Sequence, residues 1–138
     1  MKIKNIDLIN TKWLLDNYAT KRFPQKLSYA IMKTTLGIKD DVECYNKLLK
    51  NIIDSYNDYI IKDENDMPVY DKNTGIPMVD DEHKKAYVDE INELLDMEVE
   101  VNIHPIDISI FDYEDGNKYD ILLPKEMMQL QSVLCKKE

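Results

Sequence analysis

Glycine is scarce in this chain, and its distribution excludes the common phosphate-binding loops. The 138 residues include three glycines, Gly37, Gly75 and Gly116, which lie far apart in the sequence. A P-loop and a dinucleotide-binding turn each need several glycines within a few residues, because the backbone must approach the phosphates closely. The sequence therefore excludes both of these nucleotide sites.

Cysteine and histidine are equally scarce, with two residues of each type. Cys44 and Cys135 are too few for a disulfide framework and have no suitably spaced partners for a zinc site, so a reducing compartment fits best. Residues 80–83 (Asp-Asp-Glu-His) include four potential ligands. Consecutive helical side chains point about 100° apart, so these four cannot converge on one ion. We predict no metal, no cofactor and no catalytic residues, and hence a protein that is not an enzyme.

Long apolar runs are also missing. The longest unbroken run covers residues 29–32, whereas a membrane-spanning helix needs about 20 apolar residues. The first residues alternate lysine and isoleucine, so the apolar stretch of a secretory signal is not found. We expect no membrane segment and a cytoplasmic protein.

Charge is abundant, but it is divided unequally along the chain. Lys and Arg number 18 against 27 Asp and Glu, for a formal net charge of -9. Residues 1–62 contain 11 basic and 7 acidic side chains, whereas residues 63–138 contain 7 and 20. A strongly anionic surface repels phosphate backbones and anionic lipids. The sequence therefore disfavours direct binding to nucleic acid and to membranes.

Hydrophobic periodicity predicts a long helix between residues 27 and 59, in which apolar residues recur at steps of three and four. Because Gly37 can terminate a helix and Asp40 can begin one, we favour a break at Gly37, with one bent helix as the alternative. The last turns resemble heptad packing, which makes them a candidate seam for self-association into homo-oligomers. The residues of this seam are Val42, Tyr45, Leu49, Ile52 and Tyr56.

The remaining elements are short and predict an α+β fold that is mainly helical. Residues 1–6 form a short strand, and Asn10 or Thr11 caps a helix after it. Residues 63–80 form a β-hairpin around a turn that ends at Gly75. A helix capped by Asp80 or Asp81 follows and ends near Asp96, residues 97–103 alternate as a strand, and a final helix begins at Leu123-Pro124. The length argues for a single domain over residues 1–138 that includes a small antiparallel sheet.

The acidic half places many of its carboxylates on one helical arc and one strand face. At 100° per residue, the acids of the predicted third helix lie opposite Tyr87, Ile91 and Leu94. In the strand that follows, alternate acids share a face and lie about 6.8 Å apart. We predict that these carboxylates bind a positively charged protein partner, although a merely solvated face is the alternative. They are Glu82, Asp89, Glu93, Asp96, Glu98 and Glu100.

Three segments resemble a family of small uncharacterised bacteriophage and prophage proteins. The residues that carry the resemblance are FPQKLSYAIMKTTLGIKDDVECYNKLLKNII (23–53), DENDMPV (63–69) and INELLDMEVEVNIHPIDIS (91–109). Residues 71–79 depart from the family pattern and look like an inserted extension. The family has no assigned activity, so the resemblance implies a phage accessory protein in the cytoplasm of a bacterial host and transfers no residue roles.

These features favour two functions, and a metal-dependent enzyme is the third alternative. The first is a phage-encoded acidic binding protein without enzymatic activity, which inhibits a host defence enzyme that acts on nucleic acid. The second is a virion morphogenesis or scaffolding factor that self-associates through its long helix. In either case the partner is another protein, a host enzyme or a phage structural protein.

Overall fold

The computed structural model describes residues 1–114 and 116–135. Contacts divide the chain into two compact units. Unit 1 consists of Met1–Val42 and the chain from Glu98 onward, and unit 2 is Glu43–Met97. The described residues include four α-helices and one two-stranded antiparallel sheet. The mainly helical α+β class predicted from the sequence is therefore confirmed, whereas the single domain stays a prediction.

Unit 1 contains the small sheet, three helices and a 3-10 turn. Strand β1 pairs antiparallel with β2, and Ile3 faces Val99 across the ladder. Both strands lie where the alternating pattern predicts them, although each is only three residues long. The elements are β1 (Lys2–Lys4), α1 (Asn5–Tyr18), the first part of α2 (Gln25–Ser55), β2 (Glu98–Glu100), a 3-10 turn (Ile108–Phe111) and the final helix (Pro124–Leu134).

The core of unit 1 forms where one apolar face of each helix is buried. Burial of these aliphatic side chains is the main source of stability here. A buried hydroxyl belongs to the same core: Thr34 Oγ1 accepts a hydrogen bond from the backbone N–H of His104 at 3.0 Å. The fully buried leucine and isoleucine side chains are Leu8, Leu15, Leu27, Ile38, Leu130 and Leu134.

Helix α2 runs through Gly37 without interruption, so the break favoured from the sequence is wrong. A Cβ atom at position 37 would lie 2.5 Å from the backbone oxygen of Asn102, closer than side-chain carbons approach such an atom. Glycine is therefore needed here because another backbone segment packs against the helix. The residue that looked like a helix terminator is a contact point.

The predicted start of the first helix is also wrong. Helix α1 begins at Asn5, directly after β1, and not at Asn10 or Thr11. Lys4 precedes the helix without a side-chain cap, and Asn5 is buried. Tertiary packing at the end of the strand thus starts this helix without a strong local capping signal.

Unit 2 consists of the last part of α2, a 3-10 turn (Asn57–Tyr59), an irregular hairpin and α3 (Asp81–Asp96). The predicted turn is confirmed: Gly75 has a φ of +72°, and its N–H donates to the Asp71 carbonyl at 2.8 Å. Tyr70 and Pro77 pair antiparallel across it. The flanking segments form isolated bridges and not regular strands, which fits prolines that cannot donate a ladder hydrogen bond.

A separate small core stabilises unit 2. Val79, Tyr87 and Ile91 are buried, and residues from α2 pack against them. The Tyr87 hydroxyl donates to the Pro77 carbonyl at 2.8 Å, which ties α3 to the hairpin. The Tyr56 ring packs edge-on against Tyr87 with 5.0 Å between centroids.

Helix α3 begins at an aspartate cap, as the sequence predicts. Asp80 Oδ1 accepts from the backbone N–H of His83 at 3.0 Å and lies 2.7 Å from His83 Nδ1. This side-chain hydrogen bond from His83 lowers the pKa of Asp80. The run of acids and histidine at 80–83 thus forms a helix start.

The cap at Asp80 leads to a prediction about how the stability of one variant depends on pH. Because the folded-state pKa of Asp80 is lowered, the stability that its charge contributes is present above the ordinary aspartate value of about 4 and is lost below it. Asparagine can still cap the helix but has no carboxylate. We therefore expect Asp80→Asn to be less stable than the wild type near neutral pH, with a difference that disappears in acid.

Thermal unfolding followed by circular dichroism across this pH range measures the effect. Asp81→Asn is the matched control, because it removes the neighbouring charge from the first turn of α3 and leaves the cap intact. A difference between Asp80→Asn and wild type that persists undiminished in acid would contradict the assignment.

Candidate protein-binding surface

Helix α3 has a buried face and an acidic face. Tyr87, Ile91 and Leu94 are buried. The four predicted carboxylates of this helix are all exposed on the opposite side, within an arc of about 60° at the helical repeat. We call them the acidic face of α3: Glu82, Asp89, Glu93 and Asp96.

Three of these four carboxylates have no ion pair in the described residues. Glu82, Asp89 and Glu93 make no ion pair within residues 1–114 and 116–135. Asp89 and Glu93 are like charges four residues apart, an arrangement that costs an isolated helix a few tenths of a kcal/mol. Lys85 interrupts this face of the helix, but in the described residues it makes no ion pair with these three carboxylates.

The two predicted acids of β2 are exposed, but they lie in unit 1 and face cations there. Glu98 is opposite Lys4 in the ladder, and Glu100 is opposite Lys2. Glu100 Oε1 also lies 2.6 Å from the N-terminal ammonium group, which lowers the pKa of this carboxyl. The acidic face of α3 is therefore a better candidate for binding a partner than the two acids of β2 are.

The predicted self-association seam is used within the chain. Val42 belongs to the core of unit 1, and Tyr45 is buried as well. Leu49, Ile52 and Tyr56 are partly buried and pack against the core of unit 2. Burial raises the pKa of Tyr56, and the nearby Glu90 carboxylate adds to this effect. The heptad pattern thus describes contacts of α2 with its own chain.

An apolar groove lies beside the acidic face, and sequence reasoning did not identify it. It runs between the last part of α2 and α3 within unit 2 and has a volume of about 450 Å³. Leu48 and Met97 line it and are 40% and 51% exposed. One feature of the sequence does indicate this groove. Leu48 directly precedes the seam residue Leu49, so its apolar side chain lies at the edge of the buried stripe of α2.

The cysteines and histidines lie in separate surroundings in the described residues. Cys44 is exposed, whereas Cys135 is partly buried and its thiol pKa is raised by burial. His83 stacks on Tyr59 with ring centroids 3.5 Å apart, and His104 packs edge-on against Tyr29. In the described part of the chain, no group of three or more His, Cys, Asp or Glu residues could hold a metal ion.

Comparison with known proteins adds no further assignment. No protein-family model, curated protein or solved structure matches the chain. None of the helices within the described ranges is both long enough and apolar enough to span a membrane.

Proposed function

We propose that this chain is a phage-encoded acidic binding protein without enzymatic activity, which inhibits a host enzyme that acts on nucleic acid. In this proposal, the acidic face of α3 occupies the basic channel through which the enzyme binds its nucleic acid. Inhibition then results from competition for the same cationic side chains. The site of action is the cytoplasm of the bacterial host.

One observation carries the proposal: the exposed carboxylates Glu82, Asp89 and Glu93 share one side of a helix and have no ion-pair partner in the described residues. A protein needs negative charge of this kind to compete with a phosphate backbone. Charge complementarity also accelerates encounter and weakens binding to partners of the wrong sign. The phage origin in this proposal is supported by the resemblance of the sequence segments.

The alternative, a morphogenesis factor that self-associates through the long helix, has weaker support. Val42 and Tyr45 are buried, and the other three seam residues pack against the core of unit 2. A second copy would have to displace these contacts to use the seam.

Neutralising the acidic face tests the proposal. We expect the triple variant Glu82→Gln/Asp89→Asn/Glu93→Gln to bind the host enzyme about tenfold more weakly or worse, because desolvated charge pairs are lost. The enzyme is isolated by affinity purification from host lysate with the wild-type protein, and its activity on nucleic acid is then assayed with each variant. Wild-type binding should weaken as salt concentration rises.

Three exposed acids of α2 provide a control with the same change in net charge. The variant Asp40→Asn/Glu43→Gln/Asp54→Asn should inhibit as well as the wild type, because these side chains belong to α2 and not to the acidic face of α3. Equal inhibition by the acidic-face variant would refute the proposal, as would recovery of no nucleic-acid-directed enzyme from the lysate.

A further inference from the structure

The groove between α2 and α3 combines apolar side chains with carboxylates. Leu48 and Ile52 come from α2, Leu94 comes from the last turn of α3, and Met97 directly follows this helix. Leu48 and Met97 are the exposed members, whereas Leu94 is buried below them. Exposed apolar side chains that surround a depression mark a binding groove more often than isolated ones do. Met97 adds adaptability, because its unbranched side chain can fit partners of different shape.

The carboxylates of the groove continue the acidic face. Glu90 and Glu93 line it, and Glu93 is also a member of that face. Residues 81–97 contain six acidic and two basic side chains. On α2, Lys50 points away from the groove, since two residues along a helix correspond to about 200° of rotation from Leu48. Lys47 flanks the α2 side at about 100°. The potential in this groove is therefore dominated by glutamate.

These two properties define the partner that would fit. Apolar contacts favour a hydrophobic anchor, and the surrounding glutamates favour a cation next to it. The groove segment from Leu48 to Ser55 is about 10 Å long and is bounded by two helices. A third helix can lay an apolar ridge into such a groove, as amphipathic peptides do in other helical receptors. A nucleic acid has neither the apolar ridge nor the right charge.

We propose that the α2–α3 groove binds a basic amphipathic helix of a protein partner. This inference rests on the proposed function and narrows it, because it names the structural element that the acidic surface recognises. Leucine-like side chains of the partner helix contact Leu48, Ile52 and Met97, while its lysines or arginines pair with Glu90 and Glu93. Affinity then requires both the apolar contacts and the charges.

Two synthetic peptides test the proposal with the intact protein. The first is a 14-residue peptide of leucine and lysine with helical spacing, and the second has the same composition in an order without helical periodicity. We expect the helical peptide to bind at least about tenfold more tightly, by calorimetry at physiological salt, because only it presents one apolar ridge. Equal affinities would overturn the proposal.

Groove variants separate the apolar contribution from charge. Leu48→Ser/Met97→Ser keeps every charge, and both side chains are already exposed, so the fold should be retained. We expect this variant to bind the helical peptide about tenfold more weakly than the wild type does, or worse. The matched control is Met32→Ser/Leu36→Ser, which changes two side chains of α2 in unit 1 that are 54% and 60% exposed. The control should bind like the wild type.

The outcomes distinguish the groove from the acidic surface. If the groove variant binds the peptide normally while the Glu82, Asp89 and Glu93 triple variant does not, the groove proposal fails and the acidic surface stands. Because Glu93 lines the groove as well, we expect both variants to weaken binding of the helical peptide. If only the groove variant loses binding, affinity does not require the charge of Glu93 and the proposal is overturned, whereas the proposed function is decided by the host-enzyme assay. A wild-type dimer in sedimentation that Leu48→Ser/Met97→Ser dissociates would show that a second copy occupies the groove, and would overturn the proposal.

Discussion

Replacing Leu27 by alanine is expected to lower the free energy of unfolding by about 2–5 kcal/mol. Leu27 is fully buried in the core of unit 1. The substitution removes apolar contacts and leaves a cavity that a close-packed core fills only in part. A loss of this size is a large fraction of the stability of a small protein, which is typically about 5–15 kcal/mol. Urea denaturation followed by circular dichroism measures it.

Leu36 provides the matched control on the same helix. Its side chain is 60% exposed, so Leu36→Ala makes the same chemical change where little surface is buried. We expect the stability of this variant to stay within about 0.5 kcal/mol of wild type. Comparable losses for Leu27→Ala and Leu36→Ala would show that the buried face of α2 is assigned wrongly.

Replacing Gly37 by alanine is expected to destabilise the protein by about 2 kcal/mol, although this change usually favours a helix. In an exposed helix interior, glycine to alanine gains about 1 kcal/mol. Here the new Cβ would lie 2.5 Å from the backbone oxygen of Asn102, and backbone cannot rotate aside as a flexible side chain can. Overpacking of this kind typically costs about 1–3 kcal/mol. Because the new atom would meet backbone, we expect the cost for Gly37→Ala to lie near or above the upper end of this range. Subtracting the gain in helix propensity of about 1 kcal/mol leaves the net loss given above.

The sign of the change in the free energy of unfolding shows whether Gly37 is needed for the close contact with Asn102 or is only tolerated in the helix. A variant that is more stable than wild type by about 1 kcal/mol would mean that the glycine is merely tolerated in the helix. Lys39→Ala is the control, since Lys39 is exposed two residues further along α2 and should be nearly neutral. Denaturant midpoints of the three proteins are sufficient for the comparison.

The sequence was most reliable where local chemistry alone decides the structure. Asp80 caps α3, and Gly75 adopts the positive φ of its turn, because capping and left-handed backbone depend on one or two neighbouring residues. Helical periodicity also placed Tyr87 and Ile91 on the buried face and the carboxylates on the exposed one. Most of the candidate surface could therefore be predicted residue by residue.

The sequence was wrong where the decisive contact comes from a distant segment. Nothing near Gly37 in the chain reveals that Asn102 packs against it, so a terminator and a close contact give the same local signal. Self-association through the seam stays a prediction, because a stripe that could bind a second copy has the same spacing as one that packs on Val79 and Tyr87 of its own chain. Periodicity identifies a buried face without identifying what covers it.

For this protein, the sequence by itself determined the helical class, the capped acidic helix and the exposed carboxylates, because each follows from a local period or a local hydrogen bond. Only the tertiary structure decided that α2 is continuous and that Glu100 is paired with the N-terminal ammonium group. It also decided that Leu48 and Met97 share a groove. These features join residues far apart in the chain, and their contact energies depend on the folded arrangement and not on sequence spacing.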